Sequence, residues 1–184
     1  PYVDGFVINV SSPNTPNLRE LQKDEDLARI ISEVKRYSAS KPVLVKIAPD
    51  LEDVVIKSIV DTSIELGCAG IVATNTTVDR PDDSSIMSEK GGLSGKPLNK
   101  RSTDIIRLIA DHTDGKWPII GVGGISNSED AWDKISNGAS LIRIYSSMVF
   151  NGASVVKEIV NGLERKLKSK GMTDLRQAVG CSRR

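Results

Sequence analysis

The 184 residues, 39% of them hydrophobic, are enough for one globular domain, and 25 basic against 24 acidic residues, without a long run of like charge, argue against a nucleic-acid partner. No apolar stretch approaches the roughly 20 residues of a membrane-spanning helix and no signal-peptide pattern opens the chain, so we expect a soluble piece. Cys68 and Cys181 lie far apart and His112 is the single histidine, which indicates neither a disulfide framework nor a metal site.

Five short runs rich in Val and Ile predict buried parallel strands at residues 6–10, 43–47, 70–73, 118–122 and 141–145. Between these runs, apolar side chains recur at the three-to-four spacing of one helix face. The four faces comprise Leu27, Ile30, Ile31 and Val34; Val55, Ile59 and Leu66; Ile105, Ile106 and Ile109; and Trp132 with Ile135.

Helix boundaries are indicated by residue types that favour caps. Ser126 and Glu129 have the spacing of a capping box, and Gly67 and Gly138 stand where helices should stop. A last helix is predicted over residues 154–170, where lysines near its end suit the negative end of the helix dipole.

The fivefold strand-helix alternation predicts a parallel α/β sheet, either doubly wound and open or part of an eight-stranded barrel. Polar residues follow all five strands, at 9–12, 46–50, 74–77, 121–126 and 145–147. A barrel builds its site from several strand ends, whereas an open sheet concentrates its site at one switch point. We therefore predict a TIM (β/α)8 barrel, and because a full barrel takes about 250 residues, an incomplete one.

A glycine-rich segment at residues 121–126 leaves a predicted strand and enters a helix, and Tyr145, Ser146 and Ser147 follow the next strand. Backbone amides in such loops bind anions, and barrels commonly hold phosphate after their last two strands. The alternative is that the glycines only make a tight turn. We favour a phosphorylated cofactor.

Lys46 lies inside an apolar run, where an unpaired ammonium is costly to bury. Its partner is either the negative charge of a reduced flavin ring or a rim carboxylate such as Asp50. A neutral set of Asn and Thr side chains at the same rim suits a planar ligand with carbonyl and N–H edges, although such residues also favour turns. This set comprises Asn9, Asn14, Thr74, Asn75, Thr76 and Thr77.

The polar stretch between Arg80 and Arg101 is longer than an ordinary strand-helix loop, so it is either a functional flap or a mobile surface insertion. The rim offers no His, Cys or carboxylate pair as acid or base. The residues by themselves therefore indicate a barrel that binds a flavin or another phosphate ligand. They do not identify a catalytic group.

The segment Asn9-Val10-Ser11-Ser12-Pro13-Asn14-Thr15 resembles the active-site loop of class 2, quinone-dependent dihydroorotate dehydrogenases. Residues 45–50, 73–77, 91–97 and 119–125 resemble further blocks of that family, in its order. The resemblance implies oxidation of dihydroorotate to orotate in pyrimidine biosynthesis, with FMN taking the hydride and a quinone reoxidising it. Class 1 relatives place cysteine where this chain has Ser12, which is the catalytic base that the resemblance implies.

The resemblance also implies two sets of binding residues. The expected FMN contacts are Asn9, Lys46, Thr74, Ser94, Gly95, Gly123, Gly124, Tyr145 and Ser146. The expected dihydroorotate contacts are Asn9, Asn14, Asn75 and Thr76. One departure is Arg143, which stands where the family usually has an uncharged polar residue.

By the same resemblance, residues 1–184 are the C-terminal portion of the barrel, about its last five βα units, without the first strands and the N-terminal helices that meet membrane and quinone. The intact protein is expected at the mitochondrial inner membrane, or at the cytoplasmic membrane of a bacterium. An open half barrel exposes strand edges and apolar faces, so we expect the chain alone to be inactive. The alternatives are a related FMN barrel with a different electron acceptor and an inactive fragment that serves as a binding or assembly module.

Overall fold

The computed structural model describes residues 2–80 and 90–183, in which five strands form one parallel sheet in the order of the sequence. The strands are β1 (Phe6–Asn9), β2 (Val43–Ile47), β3 (Gly70–Ala73), β4 (Ile119–Val122) and β5 (Leu141–Arg143). The helices are α1 (Asp24–Ser38), α2 (Asp53–Glu65), α3 (Lys96–His112), α4 (Ser128–Ser136), α5 (Ser146–Asn151), α6 (Ser154–Ser169) and α7 (Leu175–Ala178). Because the strand order never reverses, the sheet has no switch point and is part of a barrel.

The two faces of the sheet have different surroundings. One face packs on α1, α2 and α3 and forms the main core, through the strand residues Ile8, Val43, Val45, Ile47, Ile71, Ala73 and Ile119. The opposite face carries Lys46, which pairs in register with Asn9 on one side and Val72 on the other. On that second face Val7 is 37% exposed and Leu141 is 61% exposed. Apolar side chains that face inwards in a closed barrel are thus partly uncovered here.

A second core lies at the C-terminal end of the chain, between α4, α6 and α7. Trp132 and Ile135 of α4 pack there with Ile159 and Leu163 of α6. This cluster fixes α4 beside the sheet and thereby holds the loop that precedes it.

The predicted strands are confirmed, with β2 and β3 at the predicted bounds. β5 ends at Arg143, two residues before the predicted end, and the helix α5, which was not predicted, begins at Ser146. Gly67 and Gly138 follow α2 and α4 with φ of 70° and 125°, and the last long helix ends as predicted.

The predicted capping box between Ser126 and Glu129 is wrong. Asn127 is the N-cap of α4, and its Oδ1 accepts hydrogen bonds from the N–H groups of Glu129 and Asp130, each at 2.9 Å. The Ser126 hydroxyl instead donates to the Asp130 carboxylate at 2.7 Å. Both Ser and Asn are good caps, and the chain places the helix one residue later than the spacing predicted.

Candidate functional site

A cavity of about 680 Å³ opens at the carboxyl ends of the strands. Its walls come from β2, from the segments after β3 and β4, from the loop before α3, and from β5 with α5. The predicted ligand contacts that line it are Lys46, Thr74, Asn75, Thr76, Ser94, Gly95, Gly123, Gly124, Tyr145 and Ser146. The structure therefore brings together residues from four successive units, as a barrel rim does.

The glycine loop after β4 lies directly on α3. Gly123 and Gly124 have φ of 122° and 67°, and a Cβ atom on Gly124 would lie 2.7 Å from Cα of Asn99. A Cβ on Gly123 would lie 2.8 Å from the Ser102 hydroxyl. Only glycine meets both the backbone conformation and the close approach. The glycines do make a tight turn, and that turn also forms one wall of the cavity.

The charge of the cavity is one-sided. Of the described residues that line it, Lys46, Lys96 and Arg143 are cationic and none is acidic. Burial lowers the pKa of the Lys46 ammonium below its ordinary value, and the positive charge of Arg143 lowers it further. An anion in the cavity would relieve both effects, since it favours the charged lysine.

The rim carboxylate considered as a partner for Lys46 is engaged elsewhere. Asp50 pairs with Arg19 at 2.6 Å and also accepts a hydrogen bond from the Thr77 hydroxyl. No carboxylate among residues 2–80 and 90–183 forms an ion pair with Lys46. The lysine charge is therefore left for a ligand.

Ser147 supplies a further unsatisfied group at the cavity wall. Its hydroxyl oxygen is buried and has no hydrogen-bond partner among the described residues. A buried polar atom without a partner costs about 1–3 kcal/mol. The neighbouring hydroxyls of Ser94 and Ser146 lie 2.8 Å apart and join the loop before α3 to α5.

The loop after β1 forms a polar network beside the cavity. The Asn75 amide donates to Asn9 Oδ1 at 3.1 Å and to the Ser11 hydroxyl at 3.0 Å, and Ser11 donates to Asn9 at 3.1 Å. Ser11 is fully buried, whereas Ser12 is half-buried and accepts a hydrogen bond from the N–H of Asn14 at 3.2 Å. Asn9, Ser12 and Asn14 do not line the cavity themselves.

Arg19, which sequence reasoning missed, holds this network in place. Its guanidinium donates to the carbonyls of Ser11 at 3.1 Å and Thr76 at 2.9 Å, in addition to its pair with Asp50. One side chain thereby ties together the loops that follow β1, β2 and β3. Ser11 was also missed as a contact, because the motif directed attention to Ser12 next to it.

The predicted flap is shorter than the sequence indicated. Residues 96–101 belong to the first turns of α3, with Pro97 near the helix start, where its missing N–H costs nothing. Thr77 and Leu93 exchange backbone hydrogen bonds of 3.0 and 2.7 Å, so the ends of the segment are joined. Residues 81–89 of the predicted flap lie outside the described residues.

The sequential parallel sheet and the cationic, glycine-lined cavity at its carboxyl edge define a barrel segment with a cationic rim. The family model described as dihydroorotate dehydrogenase matches residues 1–167. The chain therefore belongs to the dihydroorotate dehydrogenase family, as its motifs predicted.

Individual relatives agree with this assignment. The dihydroorotate dehydrogenase (quinone) of Trichodesmium erythraeum is 50% identical to this chain, over 97% of the chain and 50% of the relative. That of Gloeobacter violaceus is 47% identical, over 97% of the chain and 51% of the relative. The chain thus spans about half the length of the curated relatives it matches.

Among solved structures, the DHODH of Eimeria tenella in complex with ferulenol superposes with a TM-score of 0.92 at 35% identity. The superposition covers 99% of this chain and 55% of the Eimeria tenella chain. The prediction of a partial TIM barrel is thereby confirmed. No helix among residues 2–80 and 90–183 combines the length and apolar character needed to cross a membrane, and the mitochondrial location stays a prediction.

Proposed function

We propose that this chain supplies the C-terminal five βα units of a barrel that oxidises (S)-dihydroorotate to orotate, with FMN as hydride acceptor and a quinone as final electron acceptor. The observation that carries the proposal is the cavity, in which three cations, a glycine loop and an unpartnered serine hydroxyl meet with no acidic residue among the described walls. The similarity to relatives named for quinone as acceptor supports the choice of acceptor.

The cavity residues fit a flavin mononucleotide in two parts. Gly123, Gly124 and Ser147 offer backbone N–H groups and a hydroxyl, which suit a phosphate. Lys46 and Arg143 offer positive charge, which suits the electron-rich part of the ring system. When bound, the flavin accepts the hydride that leaves dihydroorotate as its C–C double bond forms.

The protein's own groups bind the substrate and take its proton. Asn9, Asn75 and Thr76 would hold the substrate carboxylate and ring through their amide and hydroxyl groups, which their shared network orients before binding. The Ser12 oxygen would accept the proton that departs from carbon while its own hydroxyl proton passes to solvent, which reaches this half-buried side chain. A serine hydroxyl is far less acidic than a thiol, whose ordinary pKa is about 8.5, so it needs assistance. The N–H of Asn14, already bonded to Ser12 Oγ, stabilises negative charge on that oxygen.

The exposed face of the sheet supports the assignment to part of a barrel. In the described sheet β1 and β5 are edges, each with one partner strand. Closure requires further βα units that pair with both edges and cover Val7 and Leu141. We therefore expect the chain by itself to hold no flavin and to have no activity.

The test compares this chain alone with a completed barrel, in which it is joined to the half of the Trichodesmium erythraeum relative that it does not match. We expect the completed barrel to bind FMN, shown by its visible spectrum, and to bleach when dihydroorotate is added without oxygen. A quinone should restore the colour, whereas fumarate or NAD should not. A completed barrel that binds no flavin would contradict the proposal and favour a binding or assembly module.

The role of Ser12 is tested in the same completed barrel. Ser12→Ala should keep its flavin but bleach at least about 100-fold more slowly, because general-base catalysis contributes about that much. Ser32→Ala, an exposed serine on α1, is the matched control and should bleach at the normal rate. Normal bleaching by Ser12→Ala would show that another group takes the proton.

A further inference from the structure

Lys134 of α4 is fully buried, with 0% of its surface exposed. Its ammonium donates three hydrogen bonds of 2.6 Å, to the carbonyl of Asn99 and to the hydroxyls of Ser102 and Thr103. All three acceptors are neutral and lie on α3. No ion pair joins Lys134 to a carboxylate of the described residues, so the direct contacts of this desolvated cation are all with neutral dipoles.

The same α3 residues hold the glycine loop of the cavity. The Ser102 hydroxyl lies 3.0 Å from the carbonyl of Asn99 and 3.1 Å from that of Gly123, and the Asn99 amide donates to the carbonyl of Gly124 at 2.8 Å. Because the carbonyl of Asn99 already accepts from the Lys134 ammonium and the Thr103 hydroxyl, the one proton of Ser102 Oγ is left for the carbonyl of Gly123. Lys134 is therefore one side chain removed from the loop.

These contacts decide where the loop amides point. In a planar trans peptide, the N–H of one residue points opposite to the C=O of the residue before it. With the carbonyls of Gly123 and Gly124 turned towards α3, the N–H groups of Gly124 and Ile125 point away from α3. Both residues line the cavity, and neither N–H has an acceptor among the described residues. Two free donors are thus oriented for a ligand.

We propose that Lys134 is a positioning residue for phosphate recognition: through Asn99 and Ser102 it orients the amides of the glycine loop, and its buried positive charge strengthens their hold on a phosphate dianion. The inference rests on the proposed function, because it takes the cavity ligand to be a flavin phosphate. A buried charge acts on such an anion with less screening than a surface lysine does.

Charged groups surround Lys134 on α4 itself and on the elements that pack against it. Carboxylates on α4 itself and on α3 raise its pKa, but burial outweighs them and lowers it to about 8. The charged groups concerned are Asp130, Asp133 and Asp104, while Lys166 of α6 pairs with Glu129 and Arg183 near the C-terminus pairs with Asp111. The lysine can thus lose its charge at mildly alkaline pH.

The experiment measures the affinity of the flavin-free completed barrel for FMN and for riboflavin, which lacks the phosphate, between pH 7.5 and 9.5. The second pKa of a phosphate monoester is about 6, so the ligand charge stays constant over this range. We expect Lys134→Met to weaken FMN about 10-fold at pH 7.5 and to leave riboflavin unchanged, since a nearby charge of this kind is worth about one decade. Lys157→Met, an exposed lysine of α6, should change neither.

The unaltered protein provides a second readout that does not depend on the folding of a variant. Its ratio of FMN to riboflavin affinity should fall as the pH rises above 8, and the fall should be absent in Lys134→Met. A ratio that does not change with pH overturns the role of Lys134 but leaves the proposed function intact, provided that FMN still binds at pH 7.5. Equal weakening of both flavins by Lys134→Met also overturns it, because that result shows a general packing role. No FMN binding at any pH overturns this inference and the proposed function together.

Discussion

Replacing Gly124 by alanine tests the close packing of the glycine loop on α3. The new Cβ would lie 2.5 Å from Cβ and 2.7 Å from Cα of Asn99, closer than carbon atoms approach, and its neighbour is helix backbone that cannot rotate away. Positive φ costs an L-residue about 1–2 kcal/mol, and overpacking about 1–3 kcal/mol more. Alanine also lowers the conformational entropy of the unfolded chain, which stabilises the folded state by about 0.4–1 kcal/mol and offsets part of this cost. We expect a net destabilisation of about 3 kcal/mol, within a range of about 1–4.5 kcal/mol.

Gly171 is the matched control, because it has the same φ of 67° as Gly124 and nothing within 4 Å of the position of its Cβ. Gly171→Ala therefore carries the conformational cost alone, a net of about 1 kcal/mol. Urea unfolding of both variants in the completed barrel measures the difference, and FMN affinity should fall only in Gly124→Ala. Equal free energies of unfolding for the two variants would refute the claim that the loop is packed against Asn99.

Three further predictions follow from charged groups. Arg19→Met should lower the free energy of unfolding in urea by about 2 kcal/mol and slow bleaching by dihydroorotate, because it leaves the half-buried Asp50 without its ion-pair partner. The control Arg29→Met breaks only an exposed ion pair and should lower the free energy of unfolding by less than about 0.5 kcal/mol. Arg143→Gln should raise the pKa of Lys46, seen as an upward shift in the alkaline limb of riboflavin affinity; an unmoved limb would show that the two cations do not interact. Lys134 has a pKa of about 8 in the folded protein against an ordinary value of 10.5, so the unfolded state holds more protons between these values and stability rises with pH there. Between pH 7.5 and 9.5 the unfolding free energy of the flavin-free protein should therefore increase by about 2 kcal/mol relative to that of Lys134→Met. Parallel curves of unfolding free energy against pH for the two proteins would contradict this.

The regular elements were predictable because burial imposes a period on the sequence. Strands such as β2 and β3 are short apolar runs bounded by Pro, Gly or polar residues, and the long helices repeat apolar residues every three to four positions. α5 gave no such signal, since Val149 and Phe150 are exposed and mark no buried face. α7 is a single turn, too short to show any period.

The parts of the site that come from one strand end each were also predictable, but the links between strand ends were not. Arg19 has partners in three loops, up to 57 positions away in the chain, and no local pattern reports such contacts. The choice between flavin and Asp50 as the partner of Lys46 stayed open in the sequence for the same reason. For Lys134 one sign was available, because it stands within the apolar face formed by Ala131 and Ile135, where an exposed lysine is not expected.

The nearly balanced composition conceals a strong separation of charge. Acidic residues are plentiful, yet those near the site are committed to other partners: Asp50 to Arg19, Asp53 to Arg101, and Asp130 to the N–H and hydroxyl of Ser126. The cavity keeps Lys46, Lys96 and Arg143 without an acidic neighbour among its described walls. The repulsion between Lys46 and Arg143 and the desolvation of Lys46 destabilise the ligand-free protein, and the charge of an anionic ligand offsets both costs. Ligand binding and folding are therefore coupled, so at equal free concentration FMN, the tighter ligand, should stabilise the completed barrel more than riboflavin does.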